Sequence, residues 1–266
     1  MSGKLALITG ASSGIGAETA KHLAAKGYHC LLLARNRERL ETVAGDIREA
    51  GGQADIYSVD LSDAPAVERI AQTILDDAGP PDVLINNAGA GRWKAFLETS
   101  AEEAVAMMAV PYFAGVYLTR ALLPAMIERG TGRIAFVSSP ASYLAWPNAS
   151  TYIAARCAVR GFAEALRSEM KPHGIGVTLI VLGTVESPYW EHNPGSRENL
   201  PATDARLLPV LSLEEAADAI VDGVEAGKRL VVKPALFRAL FLLNAVAPGL
   251  VASQLRKASK KARKTG

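Results

Sequence analysis

Cysteine is nearly missing from this chain. Cys30 and Cys157 are the only two among 266 residues and form no C-x-x-C pair, which speaks against a disulfide scaffold and for a reducing, cytoplasmic setting. Histidine is scarce too. His22, His29, His173 and His192 are scattered without ligand spacing, so no metal site is expected. Met1-Ser2-Gly3-Lys4 runs directly into an apolar stretch, so no signal peptide is expected. No Pro/Gly/Ser-rich linker divides the chain, and no internal repeat is visible. The net charge is only +2, but the last eleven residues carry Arg256, Lys257, Lys260, Lys261, Arg263 and Lys264 with no acid. That tail is +6 and the rest of the chain −4. A nucleic-acid module would spread its positive charge over a face of the domain, so no nucleic-acid partner is expected.

Apolar residues are plentiful, at 49% of the chain, enough for one large α/β domain with a buried core. Strand-like runs fall at Leu5–Ile8, His29–Ala34, Ala54–Val59, Val83–Asn86, Arg133–Ser138, Gly176–Leu182 and Arg229–Val232. Helical patterns lie between them near 15–26, 37–50, 64–78, 101–129, 152–171 and 213–226. This alternation predicts a Rossmann-type, doubly wound, seven-stranded parallel sheet in a single domain over residues 1–234. The stretch 184–211 holds Pro188, Pro194, Pro201 and Pro209, the aromatics Tyr189 and Trp190, and little periodicity. A loop this long in a compact domain is usually functional, and a substrate lid is expected.

The most telling stretch is Thr9-Gly10-Ala11-Ser12-Ser13-Gly14-Ile15-Gly16, set between the run Leu5–Ile8 and the amphipathic stretch Ala17–Lys26. Strand, glycine turn and helix start form a dinucleotide site. Gly10 permits the tight turn, Gly14 lets backbone N–H groups approach a pyrophosphate, and Gly16 lets the helix pack on the sheet. After Leu31-Leu32-Leu33 comes Ala34-Arg35-Asn36-Arg37, with no acid before Glu38. An acid there would pair with free ribose hydroxyls, whereas a cation suits a 2′-phosphate, so NADP(H) is expected over NAD(H). The charges from Arg35 to Arg39, beyond that phosphate contact, read as a solvated helix face.

Adding Asp60, Asn86-Asn87-Ala88-Gly89, Ser139 and Tyr152 in this order, the chain resembles the short-chain dehydrogenase/reductase family over roughly residues 4–233. The resemblance implies nicotinamide-dependent hydride transfer between a carbonyl and an alcohol. It places the cofactor against Gly10, Ser12, Ser13, Gly14, Ile15, Gly16, Arg35, Asp60, Leu61, Asn87, Ala88, Gly89, Tyr152, Arg156, Gly183 and Val185. Asp60 would accept from the adenine amino group, and Asn86–Gly89 would end the fourth strand beside the cofactor. Ser139, thirteen positions before Tyr152, would hold the substrate oxygen, and Tyr152 would exchange a proton with it. Homodimers or homotetramers are implied as well.

Two positions depart from the family pattern. The motif Y-x-x-x-K reads Tyr152-Ile153-Ala154-Ala155-Arg156 here. Arginine keeps the charge, worth about 3 kcal/mol to a phenolate ~5 Å away at an effective dielectric of ~20. Its guanidinium is larger and planar, unlike an ammonium. Upstream, Pro111 in Val110-Pro111-Tyr112-Phe113-Ala114-Gly115 stands where the family carries an asparagine that anchors a relay water. Leu182-Gly183 replaces the usual Pro-Gly. Retained Ser139 and Tyr152 favour an enzyme, and the changes at 111 and 156 favour a nucleotide-binding sensor or scaffold. Trp93, Phe96, Tyr143, Trp146, Tyr189 and Trp190 suggest an apolar pocket for a small carbonyl or alcohol. An apolar helix is expected over 235–255 and an unstructured basic tail over 256–266. That pair either lies on an anionic membrane surface or covers a pocket or subunit contact.

Overall fold

The computed structural model describes residues 3–193, 196 and 208–265. Seven strands form one parallel sheet: β1 (Leu5–Thr9), β2 (His29–Ala34), β3 (Gln53–Ser58), β4 (Val83–Asn86), β5 (Gly132–Ser138), β6 (Ile175–Leu182) and β7 (Leu230–Lys233). Their order across the sheet is β3-β2-β1-β4-β5-β6-β7. Helices α1 (Gly14–Ala25), α2 (Arg37–Glu49), α3 (Ala64–Asp77), α4 (Ala101–Met108), α5 (Ala114–Arg129), α6 (Ser150–Met170), α7 (Tyr189–His192), α8 (Leu213–Glu225), α9 (Leu236–Val246) and α10 (Pro248–Thr265) complete the fold.

The central strands are apolar along their whole length because both sheet faces are covered. Ala6 and Ile8 of β1 point into one core, with Ala20 and Leu23 of α1, Leu40 of α2 and Ile220 of α8. Leu7, between them, points into the other, with Val67 of α3, Leu118 and Leu122 of α5 and Val159 of α6. The strand order reverses between β1 and β4, which opens a crevice at the carboxyl ends of the strands, where such sheets bind ligands.

Three expected elements differ. The stretch 101–129 is not one helix, because a π-helical turn at Ala109–Phe113 separates α4 from α5. Buried Pro111 lies within it, lacking an N–H and crowding the carbonyl one turn back. By length and composition Ala101–Arg129 could cross a membrane, yet Leu118, Leu122 and Met126 are wholly buried in the second core. The C-terminal segment is two helices rather than one, broken before Pro248, which suits the first turn of α10. The tail expected to be unstructured is helical to Thr265. Lysine, arginine and alanine, which dominate it, are all good helix formers.

Candidate active site

One cavity of about 970 Å³ occupies the crevice. Its lining includes every residue expected around a nucleotide or at the reaction centre: the Gly10–Gly16 turn except Ala11, then Arg35, Asp60, Leu61, Asn87, Ala88, Gly89, Ser139, Tyr152, Arg156, Gly183 and Val185.

At the β1 end the site is mostly backbone. A Cβ on Gly16 would collide with the carbonyl oxygen of Gly10, so glycine there lets α1 approach the turn. Thr9 Oγ1 accepts from the N–H groups of Asn87 and Ala88 at 2.9 Å each, and Asn87 Nδ2 donates to the Thr9 carbonyl at 3.0 Å. These bonds tie the ends of β1 and β4 together. The α1 N-cap, Ser13, makes no side-chain cap, and the first turn holds no acid. By contrast Asn36, Asp63 and Ser212 cap α2, α3 and α8. The first N–H groups of α1 are thus left open at the cavity, a positive helix end suited to phosphate.

The adenosine end holds Arg35 and Asp60. The Asp60 carboxylate accepts from the backbone N–H of Ser62 at 2.9 Å and from its hydroxyl at 2.7 Å. Those bonds, with a smaller contribution from Arg35, hold its pKa below the ordinary carboxylate value. Arg39 also lines the cavity, so it is not simply part of a solvated face. It lies in the first turns of α2, and that helix starts at the crevice. The signal was available, since Arg35 and Arg39 are four apart.

At the β5 end the site is built from side chains. Ser139 directly follows β5, and its Oγ accepts from Ala141 N–H at 3.3 Å, a local capping bond that leaves the hydroxyl proton for another acceptor. Tyr152 is 8% exposed and packs on Trp93, with ring centroids 5.6 Å apart. One turn on, the Arg156 guanidinium carbon lies 4.9 Å from the Tyr152 ring centroid. The guanidinium passes over Gly89, where a Cβ would come within 3.1 Å of Nη2. Burial alone would lower the Arg156 pKa; the oxygens of Tyr152 and Tyr189 outweigh it and hold the pKa above the ordinary arginine value. Arg156 Nε is buried without a hydrogen-bond partner.

Tyr189, expected at the pocket, also interacts with Arg156, a contact the sequence pattern does not reveal. It arrives from α7, and its hydroxyl donates to the Gly91 carbonyl at 2.9 Å. Burial first, then the neighbouring Tyr152, pushes its pKa well above that of a free phenol, with Arg156 opposing, so it stays protonated. Two further bonds join the same segments: Gly91 N–H to Asn193 Oδ1 at 3.1 Å and Trp93 N–H to Ser196 Oγ at 3.2 Å. The segment after β6 is therefore tied across the catalytic end. Much of the expected lid, 194–195 and 197–207, lies outside the described residues.

Of the six aromatics expected at a pocket, Trp93, Trp146, Tyr189 and Trp190 line the cavity. Phe96 is 68% exposed instead, and Tyr143 stacks on Phe241 of α9 at 4.2 Å. Phe237 of α9 joins the lining from the C-terminal segment.

The model of the short chain dehydrogenase family matches residues 4–197. The chain belongs to this family of oxidoreductases. Among its short-chain dehydrogenase relatives, the fatty acyl-CoA reductase of Acinetobacter baylyi is 38% identical over 251 residues, covering 93% of this chain and 81% of that one. The 11-beta-hydroxysteroid dehydrogenase-like 4A of Arabidopsis thaliana is 32% identical over 262 residues, covering 97% and 85%. A solved short-chain dehydrogenase from Sphingobium yanoikuyae, in complex with NADPH, superposes with a TM-score of 0.79 at 27% identity, covering 93% and 94%.

Proposed function

We propose that this protein is an NADP(H)-dependent oxidoreductase that interconverts an apolar carbonyl compound and its alcohol. The observation that carries the reading is a single cavity lined by both the glycine turn and the Ser139, Tyr152 and Arg156 cluster. The residues fit a phosphorylated dinucleotide: an uncapped helix end for the pyrophosphate and Arg35 and Arg39 where a 2′-phosphate would lie. Asp60, at the end of β3, is the one carboxylate among the described lining residues. The NADPH in the Sphingobium relative supports the same choice.

When bound, NADPH supplies the hydride that reduces the carbonyl carbon. Ser139 donates its hydroxyl hydrogen to the carbonyl oxygen and holds it in place. Tyr152 gives its phenolic proton to that oxygen as negative charge develops, and solvent returns a proton to the phenolate. Arg156 stabilises the phenolate through its buried charge. Tyr189 packs beside that guanidinium and keeps its own proton, so it acts as a positioning residue for Arg156. Trp93, Trp146, Trp190, Val210 and Phe237 exclude water and favour an apolar substrate. The names of the Acinetobacter and Arabidopsis relatives point the same way.

The test is thermal unfolding with NADP⁺ or NAD⁺ at equal concentration. A ligand at ~100 times its Kd adds about 2.7 kcal/mol. NADP⁺ should give the larger shift, and Arg35→Asp should reverse the order. Equal shifts, or a larger one with NAD⁺, would overturn the NADP(H) assignment.

A further inference from the structure

The C-terminal helices carry a feature that the reductase reading does not use. Ten of the 29 cations and none of the 27 acids fall in residues 226–266. That segment is therefore +10 and residues 1–225 are −8. Charge is separated along the chain far beyond what the net +2 suggests.

The same segment exposes apolar surface. On α9 the residues at helical spacing 237, 240, 241 and 244 face the protein. Phe237 is buried, Phe241 stacks on Tyr143, and Asn244 Nδ2 donates to the Tyr143 carbonyl at 3.0 Å. The opposite face carries Leu242, 72% exposed, and Val246, 82% exposed; Leu250, on α10, is 54% exposed. Arg238 begins that outer face, and exposed Arg256 and Lys257 follow it on α10. Val251 and Ser259 seat α10 on the protein, since both are buried.

We infer that the outer face of α9 and the start of α10 dock on the surface of an anionic bilayer. Leu242, Val246 and Leu250 enter the acyl boundary, and Arg238, Arg256 and Lys257 beside them pair with lipid headgroups. Either component alone binds weakly, whereas apolar burial together with a basic cluster is what interfacial helices use. Charge complementarity decides the occupant. A neutral protein partner would cover the leucines but not the cations, and a nucleic acid would pair with the cations but leave the leucines in water.

Cosedimentation with vesicles of phosphatidylcholine, with and without about a third phosphatidylglycerol, tests this on the full chain. Binding should need the anionic lipid and should fall as salt shortens the screening length from ~10 Å. Replacing Arg256, Lys257, Lys260, Lys261, Arg263 and Lys264 by glutamine should weaken partitioning by roughly 10⁴-fold. Leu242→Gln with Val246→Gln, which leaves the charge unchanged, should weaken it on the order of tenfold. Both variants should keep the wild-type melting temperature and its shift with NADPH, which shows that they fold. The proposal is overturned by a wild type that stays in the supernatant with anionic vesicles at low salt. It is also overturned by equal binding to neutral vesicles, or by unchanged binding of the Leu242/Val246 variant. A dimer in solution that dissociates on the Leu242/Val246 change, with no vesicle binding, would assign the face to a second copy of the chain instead.

Discussion

At the β1 end of the cavity the groups on offer are backbone N–H donors, glycine surfaces and the cations Arg35 and Arg39. At the β5 end they are two phenols, a hydroxyl and a guanidinium, all side chains. The first end tolerates sequence change wherever the backbone path survives. The second depends on which side chain occupies each position. Arg156 illustrates the consequence. An ammonium is compact, whereas this guanidinium spans the space between Gly89 and the Tyr152 ring, and Tyr189 from a distant segment interacts with it. The β5 end is thus held together by contacts between distant segments, while the β1 end is held by its own backbone turn.

The largest expected effect tests whether chemistry is confined to the β5 end. Tyr152→Phe should lower kcat for NADPH-dependent carbonyl reduction by ~10²–10⁴-fold, the usual weight of a general acid. Nucleotide binding should remain within a few-fold, because the ring still packs on Trp93. A loss below about tenfold would remove Tyr152 as the proton donor.

Next in size is the Arg156–Tyr189 pair. Tyr189→Phe keeps the ring and deletes the hydroxyl that faces Arg156 and donates to Gly91. We expect kcat to fall on the order of tenfold with little change in NADPH affinity or in KM for the carbonyl substrate. Arg156→Lys separates two accounts of that support. It removes the unpartnered Nε, which costs about 1–3 kcal/mol when buried. It also deletes the planar contacts with both phenols. If the site has adapted to arginine, the lysine variant should turn over more slowly than the wild type, and Tyr189→Phe should add little to that loss in the double variant. Additive losses would show that Tyr189 does not act through Arg156.

The same contrast explains what could be read in the sequence. The strand–glycine–helix pattern, the thirteen-residue spacing of Ser139 and Tyr152, and the alternation of strands and helices are local or periodic. Each maps directly onto the structure, with element ends shifted by one or two residues. Tyr189 reaching Gly91, and Phe237 reaching the cavity past Gly183, are contacts between distant segments with no periodic trace. The π turn around Pro111, which divides the expected helix 101–129, likewise has no periodic trace in the sequence. Helix in the basic tail was missed for a different reason. A run of like charges was weighed as disorder, although its residues rank among the better helix formers.

The smallest effect belongs to Asp60, at the nucleotide end. Its folded pKa lies below the unfolded value because Ser62 N–H and Oγ–H bond the charged form, with a lesser part from Arg35. A depressed carboxylate contributes stability that is present above the unfolded value near 4 and is lost as pH falls through the folded pKa. Asp60→Asn should therefore lower the melting temperature slightly at neutral pH and narrow its drop between neutral and strongly acidic solution. The change should be modest, because Asp60 is exposed and solvent screens both Ser62 bonds. Nucleotide affinity should weaken by less than tenfold, since one hydrogen bond to adenine is at stake among many backbone contacts to phosphate. If the acid limb of the variant coincides with that of the wild type, the Ser62 bonds are no stronger than those the unfolded carboxylate makes to water. If affinity for NADP⁺ collapses, adenine recognition by a side chain carries more of the nucleotide end than its backbone cradle does.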